Sequence, residues 1–94
     1  MPPRGQLNDP ERVAEAMRLY NEIKAMRKPT DIVQWYTYEE AANFCQRSPK
    51  YIKEVTNRFK LERKLVRAPG SHNKYWTVLA PESVRFLQVI TLGV

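Results

Sequence analysis

Two helix-start signals only eleven residues apart constrain this chain more than any other feature. Thr37-Tyr38-Glu39-Glu40 reads as a capping box: the threonine hydroxyl accepts from the N3 amide while the N3 glutamate reaches back to the cap. Ser48-Pro49 is a second start, a good N-cap followed by the residue best suited to N1. A helix begun at Tyr38 must therefore end by about Cys45, and the next runs from Pro49 to about Lys60. Two helices joined by so short a link turn sharply on each other, which is helix-turn-helix geometry. The first is expected to bury Ala41, Ala42 and either Phe44 or Cys45, and the second Ile52, Val55 and Phe59, with Tyr51 at the margin. At 100° per residue, Lys50, Lys53, Glu54 and Asn57 then share the opposite, solvent-facing side of that second helix.

The flanks complete a small domain. Residues 1–8 read as a loose lead-in, and 9–94 as one domain with an extra N-terminal helix. That helix starts at Asp9-Pro10-Glu11, carries an apolar stripe of Val13, Met17, Tyr20 and Ile23, and is stopped by Pro29 after Arg27 and Lys28. Past Lys60 the period changes from helical to alternating. Lys64–Arg67 and Lys74–Val78 read as two strands about a tip of turn formers, Pro69-Gly70-Ser71-His72-Asn73. Tyr75 and Trp76 are expected to face the core, and Arg63, Lys64, Arg67 and Lys74, which alternate with apolar residues, to leave one face of the hairpin packed and the other cationic. Pro81 opens a last helix carrying Val84, Leu87 and Ile90, with Phe86 beside them. The fold class expected is mainly α with a small β-hairpin.

Charge narrows the function. Between Arg47 and Lys74 nine basic residues face only Glu54 and Glu62, a local excess of +7, while the rest of the chain holds seven bases and eight acids. A one-sided field of this kind draws polyanions. No basic amphipathic helix stands out as a membrane anchor and no apolar run is long enough to span a bilayer. A single cysteine, Cys45, forms no internal disulfide and no thiolate metal site, and it is expected to pack in the core. Neither a cofactor nor a metal is therefore expected, and a cytoplasmic, nucleoid-associated location is the default reading.

Catalytic signals are weak. Glu39 and Glu40 are adjacent acids whose place in a first helical turn the dipole explains. His72, the only histidine, has no histidine partner for a metal. The segment Ala-Pro-Gly-Ser-His-Asn-Lys lacks the glycine spacing and Lys-Ser/Thr of a phosphate-binding loop. The chain reads as a binding module, not an enzyme.

From Tyr38 to Gln88, just over half its length, the chain resembles the excisionase and MerR-type winged helix-turn-helix proteins. The similar stretches are Tyr38-Glu39-Glu40-Ala41-Ala42-Asn43-Phe44-Cys45-Gln46-Arg47-Ser48-Pro49-Lys50-Tyr51-Ile52, the tip Gly70-Ser71-His72-Asn73-Lys74-Tyr75, and the helix entry Ala80-Pro81-Glu82-Ser83-Val84. The resemblance implies double-stranded DNA binding through the Pro49–Lys60 helix and the hairpin as a wing, in phage excision, transcription control or packaging. Two positions depart from the pattern: Gln46 stands where a turn glycine is usual, and Arg47 where a buried aliphatic residue is common. A left-handed non-glycine residue costs roughly 1–2 kcal/mol, so either the turn differs or the preceding helix ends early.

The expected DNA contacts follow from side-chain chemistry. Lysine reaches guanine acceptors or phosphate and asparagine pairs with adenine, which nominates Lys50, Lys53 and Asn57 for the groove, beside Ser48 and Tyr51. His72, Asn73 and Lys74 would grip the backbone, with Arg47, Arg58, Arg63 and Arg67 as supporting cations. One unit reads a short half-site, so a homo-oligomer on DNA through the N-terminal helix is a further expectation. Two alternatives stand beside this reading. One is an adaptor that recruits a recombinase or motor through helix one or the apolar Val89-Ile90-Leu92-Val94. The other is a single-strand binder that stacks bases on Tyr75, Trp76 and Tyr51.

Overall fold

A computed structural model describes residues 9–93 and gives four helices and one small antiparallel sheet. Helix α1 spans Pro10–Met26, strand β1 Tyr36–Thr37, α2 Tyr38–Cys45, α3 Pro49–Phe59, β2 Arg63–Arg67, β3 Tyr75–Leu79 and α4 Pro81–Leu92. The sheet order is β1-β3-β2. The expected lead-in, residues 1–8, and Val94 lie outside the described residues.

Local cap chemistry sets the helix starts. Asp9 Oδ1 accepts from the amides of Glu11 and Arg12, Thr37 and Glu40 close the reciprocal capping box, and Ser48 Oγ accepts from Tyr51 N at 3.2 Å. Helix α1 ends earlier than Pro29 implies: Arg27 is already extended, with φ −72° and ψ 133°. The expected stripe is also only partly right. Ala16 and Tyr20 are the buried residues of α1, while Val13, Met17 and Leu19 pack partly and Ile23 is half-buried. The small alanine allows close approach to α4, the helix with which α1 makes its main contact.

The core gathers around Phe86 of α4, which has no exposed surface. Tyr20 meets it edge-on at 6.4 Å between ring centres, and Phe59 of α3 approaches at 5.0 Å. Ile52, Val55, Ala41, Cys45, Leu79, Leu87 and Ile90 fill the remainder. Burial raises the pKa of Cys45, opposed by its interaction with the Thr91 side chain and by the field of Arg47. Phe44 is instead 43% exposed and packs edge-on against Tyr36 at 5.3 Å.

Backbone polarity at Glu62 ties three elements. Its N–H donates to Tyr20 Oη at 2.9 Å, and its carbonyl accepts from Ser83 Oγ at 2.7 Å and Ala80 N at 3.2 Å. A buried ion pair adds a second tie. The fully buried Glu82 carboxylate, in the first turn of α4, meets the Arg27 guanidinium at the end of α1.

Three expectations need correction. Tyr75 and Trp76 are 55% and 48% exposed, so neither is packed into the core. The hairpin cations do not keep to one face either. Alternation puts Arg63, Leu65 and Arg67 on one side and Lys64 and Val66 on the other, and Leu65 is 68% exposed. Val89 and Ile90 are buried, so they offer no docking surface; of that C-terminal group only Leu92 is exposed among the described residues. The two-residue β1 has no counterpart in the sequence reading. Tyr36 pairs with Leu79 and Thr37 with Val78, extending the hairpin to three strands. None of the described helices is long and apolar enough to cross a membrane.

Candidate nucleic-acid interface

The link between α2 and α3 is Gln46-Arg47-Ser48. Gln46 adopts the left-handed conformation, φ 56° and ψ 42°, so the turn keeps its tight form despite lacking glycine. The Arg47 amide donates to Ala42 O at 3.0 Å and the Gln46 amide to Asn43 O at 3.4 Å, which satisfies the last carbonyls of α2. Helix α3 leaves this turn with Lys50, Lys53, Glu54 and Asn57 all exposed, at i, i+3, i+4 and i+7 along one stripe. Ile52, Val55 and Thr56 hold the opposite side in the core, and Thr56 Oγ1 donates to Ile52 O at 2.7 Å.

The supporting cations are placed unequally. Arg47 is half-buried with its guanidinium over the Tyr51 ring at 5.5 Å. Burial raises the pKa of Tyr51, and the Arg47 charge opposes that shift. This pair braces the start of α3, which leaves less of either side chain for a ligand. Arg58 is exposed and lies over the Phe59 ring at 5.7 Å. Arg63 donates from Nη1 to Thr56 O at 3.4 Å, so its charge sits near the negative end of α3. Ser48 Oγ is engaged by the Tyr51 amide as the helix cap.

The hairpin tip is closed by its own backbone. Ala68 N donates to Lys74 O at 2.9 Å and Ser71 N to Ala68 O at 3.2 Å, while Ser71 Oγ accepts from the amides of Asn73 and Lys74. Gly70 turns there at φ 72°, and a Cβ at that point would meet nothing within 4 Å; the backbone conformation alone favours glycine. His72, Asn73 and Lys74 are exposed, and Arg67 lies opposite Tyr75 in the β2–β3 register.

Two further cations near these residues are not among the expected contacts. Lys64 Nζ lies 4.3 Å above the Trp35 ring, joining the hairpin to the segment before β1. Lys60, counted in the sequence only as charge, is the left-handed cap of α3 at φ 53° and adds a cation at that helix end. A basic residue soon after an expected strand and an aromatic just before a capping box were legible signals, but nothing local paired them. Among the described residues, no three His, Cys, Asp or Glu side chains are grouped to hold a metal. Compared with known proteins, the chain matches no family model, and no curated protein or solved structure is significantly similar to it.

Proposed function

We propose that the chain is a sequence-specific double-stranded DNA-binding protein of the winged helix-turn-helix kind, with α3 entering the major groove and the β2–β3 hairpin acting as the wing. The observation that carries this reading is the stripe Lys50, Lys53 and Asn57, exposed along a helix that a tight left-handed turn sets against α2. A major groove admits one α-helix, and these are side chains able to reach guanine, phosphate and adenine. The +7 excess between Arg47 and Lys74 supports it by favouring encounter with a polyanion. Phage or plasmid excision, transcription control and packaging are the roles consistent with the family resemblance.

Duplex titration at several salt concentrations tests the reading. The logarithm of affinity should fall linearly with the logarithm of salt, by about 0.9 per phosphate neutralised. Lys53→Ala should weaken all duplexes alike and reduce that slope by about 1, whereas Asn57→Ala should relax base preference by about 1–3 kcal/mol. Affinity independent of salt refutes the reading.

An adaptor role has one specific observation in its favour. Met26 and Ile32 are 78% and fully exposed, in a groove of about 520 Å³ shared with Ile23, Val33, Tyr36 and Pro81. That surface, not α1's packed side or the C-terminus, is where a protein partner or second copy would dock. Mass measured against concentration, with and without DNA, separates the two readings.

A further inference from the structure

A second groove, of about 370 Å³, lies where β3 meets the start of α2. It is lined by Tyr75, Trp76 and Thr77 on one side and by Thr37, Tyr38 and Glu39 on the other. Neighbours on a strand face opposite ways, yet Tyr75 and Trp76 both border this groove, and both keep about half their surface in water. Two such rings at the end of a hairpin are apolar surface that core packing does not use.

The charge around the rings is of one sign. From Arg63 to Pro81 there is no acid, while Arg63, Lys64, Arg67 and Lys74 supply four cations. Lys74 precedes Tyr75, Arg67 is the cross-strand partner of Tyr75, and Lys64 shares the Trp76 side of the sheet. The partner that fits must therefore be anionic and also present flat aromatic faces. Duplex DNA is anionic but keeps its base faces stacked inside. A lipid surface is anionic but offers no ring. Unpaired nucleotides have both properties.

The one acid in the groove supports the same choice. Glu39 is exposed in the first turn of α2 and repels phosphate, but its carboxylate accepts from the N–H groups on a base edge. We infer that this groove is a second nucleic-acid site, which takes an unpaired base of a single strand stacked on Trp76, with flanking phosphates on Lys64, Arg67 and Lys74. It stands apart from the α3 reading and does not require it.

The test is a titration with a short dye-labelled thymidine homopolymer, which does not pair with itself, followed for every variant through the anisotropy of the label and, in a Trp35→Phe background, through Trp76 fluorescence. Binding should raise the anisotropy and, where Trp76 is present, quench its signal. Trp76→Leu should weaken single-strand affinity by roughly 5- to 100-fold, the effect of one lost base–aromatic stack. Trp76→Tyr, which keeps a ring, should stay within about 3-fold of the parent. Thermal melting of each variant checks that the fold is intact. Lys53→Ala with Asn57→Ala should leave single-strand binding largely in place, so failure of the α3 reading and failure of this one are distinguishable. Three results would overturn the site. One is an unquenched signal, or Trp76→Leu binding like the parent. Another is duplex competing for the quench as well as single strand does. The third is a change that follows anionic vesicles or protein concentration and ignores the oligonucleotide, which would give the groove to a membrane or a second copy.

Discussion

Removing the Arg27 side chain should be among the most damaging single changes in this protein. Its partner Glu82 is fully buried, whereas Arg27 keeps 23% of its side chain exposed. Arg27→Ala strands a buried carboxylate, which typically costs about 3–5 kcal/mol. The first-turn position of Glu82 returns about 0.3–1 kcal/mol through the helix dipole, so a net loss of about 2–4 kcal/mol is expected. A chain of this size has roughly 5–15 kcal/mol in total. Glu82→Gln should cost less, about 1–2 kcal/mol, because the amide is neutral and Arg27 can turn its charge toward water. Replacing both by apolar residues of similar volume, Arg27→Met with Glu82→Leu, should recover most of the loss. Urea unfolding of the parent, the two single variants and the double variant measures all three values. At roughly 4–8 °C per kcal/mol, Arg27→Ala should also melt at least 8 °C lower. The reasoning fails if the two single variants cost the same small amount, or if the double variant is no better than Arg27→Ala.

Two further outcomes follow from the turns and the thiol. Gln46→Gly should raise stability by about 0.5–1 kcal/mol, since release of roughly 1–2 kcal/mol of left-handed strain exceeds glycine's entropy cost of about 0.4–1; a lower midpoint in thermal or urea unfolding contradicts this. Cys45 should resist thiol reagents until the protein opens, and stability should decline above about pH 8.5, where the unfolded thiol ionises and the native one, its pKa raised by burial, does not. A Cys45→Ala variant with the same slope above that pH would remove the thiol as the cause.

The parts of the fold legible in the sequence were those set by neighbouring residues. Thr37 with Glu40, and Ser48 with Pro49, fix helix starts within one turn of chain, and both stand where the side-chain chemistry puts them. The stripe Lys50, Lys53, Asn57 was legible for the same reason, because helical periodicity decides which side faces out once Ile52 and Val55 face in. What was illegible depends on distant partners. Strand β1 exists only by pairing with Leu79 and Val78, some forty residues on. Glu82 looks like an ordinary first-turn acid until Arg27, from another helix, is brought to it. Tyr75 and Trp76 were misread because alternation tells which residues share a face and not whether anything covers that face.

The two left-handed residues around α3 show why one of them is the better site for glycine. Each closes a helix in the same way, with paired bonds from the residue itself and its successor: Gln46 to Asn43 O and Arg47 to Ala42 O, then Lys60 to Asn57 O and Leu61 to Thr56 O. In the second turn the successor, Leu61, is buried, which supplies the apolar contact that commonly accompanies such a cap. Lys60 also sets a positive charge at the negative end of α3, a favourable term of about 0.3–1 kcal/mol that glycine would forfeit. Gln46 carries no charge, and its successor Arg47 is only half-buried. Strain at Lys60 is thus partly offset by electrostatics that Gln46 lacks, so glycine should help at Gln46 and bring little at Lys60.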